Sequence, residues 1–289
     1  MAMTVTDLYR YPVKSCRGER LLAACVEPWG LAGDRRWMIV DHEGLVVTAR
    51  EHPPLVLVTP AVELDAIRLT SPGLPELTVT IPRDGDLVPV VVWDSKLLAT
   101  LASEAAAAWL SVVAGEPVRL VYLDDPTRRR TNPAFSLDSD RVSFADGYPL
   151  LLTAESSLAA LNGLIAAGPR SAEGPLPMRR FRPSVVVAGS APWAEDGWRL
   201  LRIGPTVFRA VKGCDRCVLT TIDPDTAAKG KEPIATLATS RRWDGKVWFG
   251  MNLIPDLPPG AADGAAQEIR IGDPVEILDQ VDRTDGPPR

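Results

Sequence analysis

Cys214-Asp215-Arg216-Cys217-Val218-Leu219-Thr220-Thr221-Ile222-Asp223-Pro224-Asp225-Thr226 carries the sharpest chemistry in the chain. The β-branched run Val218–Ile222 predicts a strand directly after the cysteine pair. A thioredoxin-type dithiol wants its Cys-x-x-Cys at a helix N-terminus, where the dipole lowers a thiol pKa, so a strand argues against one. A structural zinc site needs four nitrogen or sulfur ligands, and only Cys16, Cys25, His42 and His52 remain to complete it, at distant and irregular spacings. Two small buried hydrophobes are a third reading, set against the polar neighbours Lys212, Asp215 and Arg216. In a fourth, one thiolate ligates a redox metal already carried by an organic cofactor, because a single soft ligand then suffices. The motif alone leaves all four open.

The rest of the chain narrows the setting. It has 289 residues, 46% apolar and 24% charged, with a net charge of −5. That length suits one large domain or two small ones, with a core that needs no disulfides. The 22 glycines and 27 prolines disfavour an all-helical fold. A negative charge without a long basic block speaks against a nucleic-acid partner. Met1–Lys14 carries Asp7, Arg10 and Lys14 and no apolar h-region, so no secretory signal is read. Leu97–Gly115 is the most apolar stretch, but Glu104 interrupts it, and Leu97, Leu101, Trp109 and Val113 recur at near-helical spacing. It reads as a buried amphipathic helix over Leu97–Val113 rather than a membrane span. Four scattered cysteines make no disulfide framework, and a cytoplasmic location without a membrane partner is expected.

Short apolar runs between turn residues predict strands at Leu21–Glu27, Trp37–Val40, Leu55–Val58, Leu77–Ile81 and Val88–Trp93, with a hairpin about Asp41–Gly44. The polar segment Asp124–Arg130 reads as a boundary or mobile loop. Beyond it, strands are expected at Tyr148–Leu152, Val185–Ala188, Leu200–Ile203, Thr206–Val211 and Val218–Ile222, and at two sites spanning Ile269–Ile277. Thr153 is the expected cap of a helix over Ala154–Ala166, and Pro233 opens a short helix through about Ser240. Pro258–Gly264 reads as a surface loop. The result is an α+β, mainly β chain of two units, 1–120 and 121–280, with a disordered tail at 281–289.

The opening motif resembles the signature of MOSC-domain proteins, in the branch containing the mitochondrial amidoxime-reducing component and its bacterial relatives. Further segments fit the same family. Tyr11-Pro12-Val13-Lys14-Ser15-Cys16 and Gly30-Leu31-Ala32-Gly33-Asp34-Arg35-Arg36-Trp37 resemble motifs of its N-terminal barrel-like domain. Phe144–Pro149, Phe181-Arg182-Pro183, Trp193–Asp196 and Phe249–Leu253 resemble later ones, in the family's order. The resemblance implies two β-barrel-like units, a MOSC N-terminal domain followed by a MOSC domain. It also implies a molybdenum cofactor, whose metal is held by a pterin dithiolene and the second cysteine of the pair, here Cys217. Lys14, Ser15, Arg35 and Arg182 then contact the cofactor's phosphate and pterin, a task suited to Arg forks and a Lys charge. Asp215, Thr220 and Asn252 complete the implied cofactor-binding set, and Tyr148 lines the pocket. Asp215, Ser184 and Ala227 stand where relatives often carry Ser, Asn and Gly.

The implied activity is reduction of N-hydroxylated compounds by oxygen-atom transfer, with Cys217 as metal ligand and catalytic residue. Electrons are expected from a separate flavin, haem or iron–sulfur protein, since no motif for such a group is visible. Asp225, with Asp223, is a candidate for proton delivery, although an Asp in such a run also suits a turn. The alternatives are a non-catalytic carrier of the cofactor or of sulfur, and a metal-free dithiol protein using Cys214 and Cys217. The first reading predicts a basic groove between the two units, leading from Lys14, Arg35 and Arg182 to Cys217.

Overall fold

The computed structural model describes residues 2–257, 267–282 and 286–288. Its largest sheet has nine strands. In spatial order they are Val275–Gln280, Trp198–Ile203, Thr206–Asp215, Lys246–Pro255, Leu150–Ala154, Val185–Ala188, Thr4–Arg10 and Glu19–Leu21, with Arg242–Trp243 beside Lys246–Pro255. All pairings are antiparallel except Leu150–Ala154 with Val185–Ala188. Parallel neighbours need a long crossover, and the helix Glu155–Ala167 lies in it. A four-stranded sheet runs Trp37–Val40, Arg119–Tyr122, Ser95–Leu101, Leu87–Val92, and a three-stranded one joins Thr59–Val62, Ala66–Thr70 and Leu77–Thr80. The mainly β expectation therefore holds, with three α-helices among the described residues.

The two halves are interwoven. Thr4–Arg10 leaves the N-terminal half to pair with Val185–Ala188, and Ala23–Glu27 pairs with Glu268–Arg270. The chain then turns out of the large sheet at Tyr11–Ser15, which delivers Lys14 and Ser15 to the seam. Trp37–Val40 is buried at every position. Trp37 and Ile39 face one core and Met38 and Val40 another, and such a two-sided strand reads as a continuous apolar run.

Several local expectations give way to tertiary context. Val218–Thr221 is a 3-10 turn, not a strand, with Cys217 at its cap. Thr220 donates from both its backbone N and its hydroxyl to the Cys217 carbonyl, and the Thr221 hydroxyl donates to Val218 O. Threonine hydroxyls that bond back to the chain offset β propensity. Leu97–Val113 is not one helix. Ser95–Leu101 pairs with Leu87–Val92, and the helix spans only Glu104–Ala114, where the Ser103 side chain accepts from Ala106 N and Gly115 closes at φ 78°. Leu55–Val58 is mostly a 3-10 turn begun by Pro53 and Pro54. Leu21–Glu27 breaks into two strands at Leu22. Thr153 belongs to a strand and donates to Met178 Sδ, so Ala154 caps the helix instead.

The Asp124–Arg130 run is anchored rather than a mobile loop. Arg129 is 4% exposed and donates to the carbonyls of Ser143 and Asp146. In the tail expected to be disordered, Gly286 and Pro287 are buried and Pro288 O accepts from Gly213 N. The surface loop expected at Pro258–Gly264 lies outside the described residues. The strands Thr4–Arg10 and Lys246–Pro255 were not anticipated.

Ala227 adopts φ 60°, a left-handed conformation that costs a non-glycine residue about 1–2 kcal/mol. Its methyl packs at the edge of a core, which offsets part of the strain. Ala227→Gly should therefore stabilise the protein by about 0.5–1 kcal/mol, read as a higher denaturation midpoint at unchanged slope.

Candidate functional site

A cleft of about 810 Å³, part of it open to solvent, lies along the seam between the halves. Lys14, Ser15, Arg35, Arg50 and Trp93 reach it from the N-terminal half, and Asp146, Tyr148, Arg182, Cys214–Cys217, Thr220 and Asn252 from the other. Lys14, Ser15, Arg35, Arg182, Asp215, Cys217, Thr220 and Asn252, with Tyr148, thus meet in one place, as expected from the sequence. Asp225 does not. Its carboxylate is held by Arg17 at 3.1 Å and by both terminal nitrogens of Arg179, away from the cleft lining. Its neighbour Asp223 accepts from the backbone N of Asp225 and Thr226 and from Arg180, which makes it a turn residue.

The cationic wall is built with care. Lys14, 5% exposed, donates through Nζ to Phe144 O at 2.8 Å and to Asp146 Oδ1 at 2.5 Å. Burial pulls its ammonium down to about 8, with Asp146 pulling the other way. Desolvation alone would raise the Asp146 carboxyl, but Lys14, Arg50 and Arg35 hold it well below the usual carboxylate range. Arg35 pairs with Asp34 at 2.6 Å, and Asp34 also accepts from Tyr11 N at 2.7 Å. Arg182 donates to Cys16 O at 2.7 Å. The Tyr11 ring sits between the two guanidiniums, 4.5 Å from Arg35 and 4.3 Å from Arg182, so cation–π contacts orient both.

Of the seven non-glycine residues with positive φ among those described, four line this cleft. They are Ser15 (72°), Arg35 (46°), Trp93 (54°) and Arg182 (55°). Left-handed strain persists where the surrounding structure enforces it, and it clusters at functional sites. Gly250, at φ 81°, makes a related allowance: a Cβ there would lie 2.7 Å from Leu152 O. The bend it permits lies two residues before Asn252, whose Nδ2 donates to Gly213 O.

On the opposite wall Cys217 is partly exposed and its thiol is free. Cys214 accepts from Arg216 Nη1 at 2.8 Å, and burial pushes its thiol up against the opposing effect of Arg216. Asp215 places little uncompensated charge on the site. Burial opposes its ionisation, yet Lys212 at 3.0 Å and Lys246 at 3.1 Å hold its carboxyl below the usual range. Among the described residues no three of His, Cys, Asp and Glu gather as a metal site. What the cleft brings together instead is one accessible sulfur and several fixed cations, a combination suited in chemical type to an anionic ligand. Arg50 and Asp146 were missed as individual site residues. Nothing in Thr48-Ala49-Arg50 marks it locally, and only Phe144–Pro149 lay within a flagged segment.

Two interlocked β units around a cationic cleft that holds Cys214 and Cys217 define a mainly β, barrel-type protein. Family models agree: the MOSC N-terminal beta barrel domain matches residues 2–117 and the MOSC domain residues 139–276. The chain belongs to the MOSC family. It is 33% identical to human mitochondrial amidoxime-reducing component 1 over 96% of this chain and 83% of that protein. It is 32% identical to rat mitochondrial amidoxime reducing component 2 over 94% and 82%. A molybdenum cofactor sulfurase from rice is 31% identical over 84% of this chain and 31% of its own length. Among the described residues no helix is long and apolar enough to cross a membrane.

Proposed function

We propose that this protein is a molybdenum-cofactor-dependent reductase of N-hydroxylated compounds, working by oxygen-atom transfer with electrons from a separate flavin, haem or iron–sulfur protein. The observation that carries the reading is the meeting of Cys217 with Lys14, Ser15, Arg35 and Arg182 in one cleft. The amidoxime-reducing relatives supply the substrate class. When bound, the cofactor supplies a redox metal that takes up oxygen. The chain's own residues do the rest. Lys14, the Ser15 hydroxyl, Arg35 and Arg182, the last braced on Tyr11, would hold the cofactor's phosphate and pterin. The Cys217 sulfur would be the single protein ligand to the metal. Asp225 has no part in this scheme, because its carboxylate is committed to Arg17 and Arg179. A cytoplasmic setting follows the sparse cysteine usage. Similarity to the rice sulfurase supports a second reading, a carrier that binds cofactor or sulfur without turnover.

Both readings meet one experiment. The protein is purified from a host that makes molybdenum cofactor, beside Cys217→Ala, and metal, pterin and reduction of an N-hydroxylated compound with an artificial donor are measured. The expected result is molybdenum, pterin and turnover in the wild type, with pterin retained but turnover lost in the variant. A wild type without molybdenum or pterin sinks the proposal. Loaded protein that never turns over leaves the carrier.

A further inference from the structure

Trp93, Tyr148, Cys217 and Asn252 are among the residues that line both the cleft and the wider cavity adjoining it. Two of them carry features that the reductase scheme does not use. Trp93 belongs to the two-residue turn between Leu87–Val92 and Ser95–Leu101, in which Val92 pairs with Ser95. Such turns favour glycine or asparagine because φ is positive, and for a bulky side chain φ 54° is an outlier. The chain nevertheless places its largest side chain there, 38% exposed, with the Arg50 guanidinium 4.3 Å from the ring centroid. A strained indole lining a cleft is the kind of outlier from which a binding role is inferred.

Tyr148 gives an independent sign. Its hydroxyl is buried and has no hydrogen-bond partner. A buried donor left unmade is costly, and this one belongs to a residue that lines both cavities, where a ligand can complete it. Burial, with Asp215 nearby, pushes the phenol up to about 12, which keeps it protonated and able to donate.

We propose that Trp93 and Tyr148 form the substrate subsite of this cleft: the indole stacks on a flat, conjugated substrate, and the Tyr148 hydroxyl donates to an oxygen or nitrogen acceptor on it. The proposal rests on the reductase reading. It makes Trp93 and Tyr148 specificity determinants that favour N-hydroxylated groups attached to a planar ring over small aliphatic ones.

The test compares benzamidoxime with acetamidoxime, which differ only in the ring, in cofactor-loaded protein matched for molybdenum and pterin. The wild type should prefer benzamidoxime. Trp93→Ala should reduce that preference about tenfold, mainly through KM, while Trp93→Phe keeps most of it. Tyr148→Phe should lower kcat/KM about fivefold on both compounds. Equal losses on the two substrates in Trp93→Ala, or a Tyr148→Phe enzyme indistinguishable from wild type, overturns the subsite. If loaded wild type reduces neither compound, the reductase reading fails separately. Calorimetric binding of benzamidoxime to the same proteins then decides: weaker binding in both Trp93→Ala and Tyr148→Phe upholds the subsite, and unchanged binding in either overturns it.

Discussion

Lys14→Met should lower pterin per chain at least tenfold on purification, given the proposed anionic cofactor. A hydrogen bond from a charged donor contributes roughly 1.5–3 kcal/mol, equivalent to about 10–100-fold in affinity. Methionine keeps the length and apolar stem of lysine, so the packing around residue 14 survives. The partner left behind is not stranded: Asp146 is 63% exposed at its side chain and retains Arg50 at 3.6 Å. The same lysine sets a pH dependence. Burial brings its ammonium down to about 8, so in the empty cleft it is charged below that pH and neutral above it. An anion binding above it must draw in a proton, and wild-type affinity should fall toward tenfold per pH unit beyond about 8. That slope should be missing in Lys14→Met. Pterin fluorescence retained after dialysis, followed from about pH 7 to about pH 9, checks both statements. Equal pterin in variant and wild type removes Lys14 from the site.

Glu195→Gln should raise the melting temperature at alkaline pH and do so far less near pH 5. Glu195 is fully buried in the 3-10 turn Ala194–Gly197. The Ser157 hydroxyl donates to its Oε2 at 2.8 Å, while Oε1 is buried without a partner. Burial, with Asp196 adding to it, raises the carboxyl from 4.5 to about 7. Between those values the folded protein keeps a proton that the unfolded chain has released. The carboxyl's contribution is therefore fully present below about 4.5 and lost as pH rises through about 7, a difference on the order of 3 kcal/mol. A neutral amide keeps the Ser157 bond and never ionises. At 2–4 °C per kcal/mol, the gain at about pH 8.5 is on the order of 5 °C or more. Scanning calorimetry at the two pH values reads it directly, and a pH-independent difference refutes the buried-acid account.

The chemistry of the cleft was legible because it resides in residue types held in short motifs. Cys217, Lys14, Ser15, Arg35 and Arg182 stand out through their neighbours in sequence, and the cleft gathers all five. Asp225 looked equivalent on the page. Its carboxylate instead found Arg17 and Arg179, which are 208 and 46 residues distant in sequence. Arg50 and the partnerless Tyr148 hydroxyl gained their meaning only from groups brought beside them. Local structure failed where side chains compete with propensity, as in Val218–Thr221, or where an apolar run changes role halfway, as at Leu101–Glu104.

By itself the sequence determined a mainly β chain, a family and one cysteine worth watching, because alternation, turn residues and motif spacing are local properties. Tertiary structure decided which charges share a space. It wove Thr4–Arg10 into the far sheet, bent Ser15, Arg35, Trp93 and Arg182 into left-handed strain around one cleft, and took Asp225 out of it. Such choices rest on long-range pairing and burial, whose energies depend on neighbours that no local window of sequence contains.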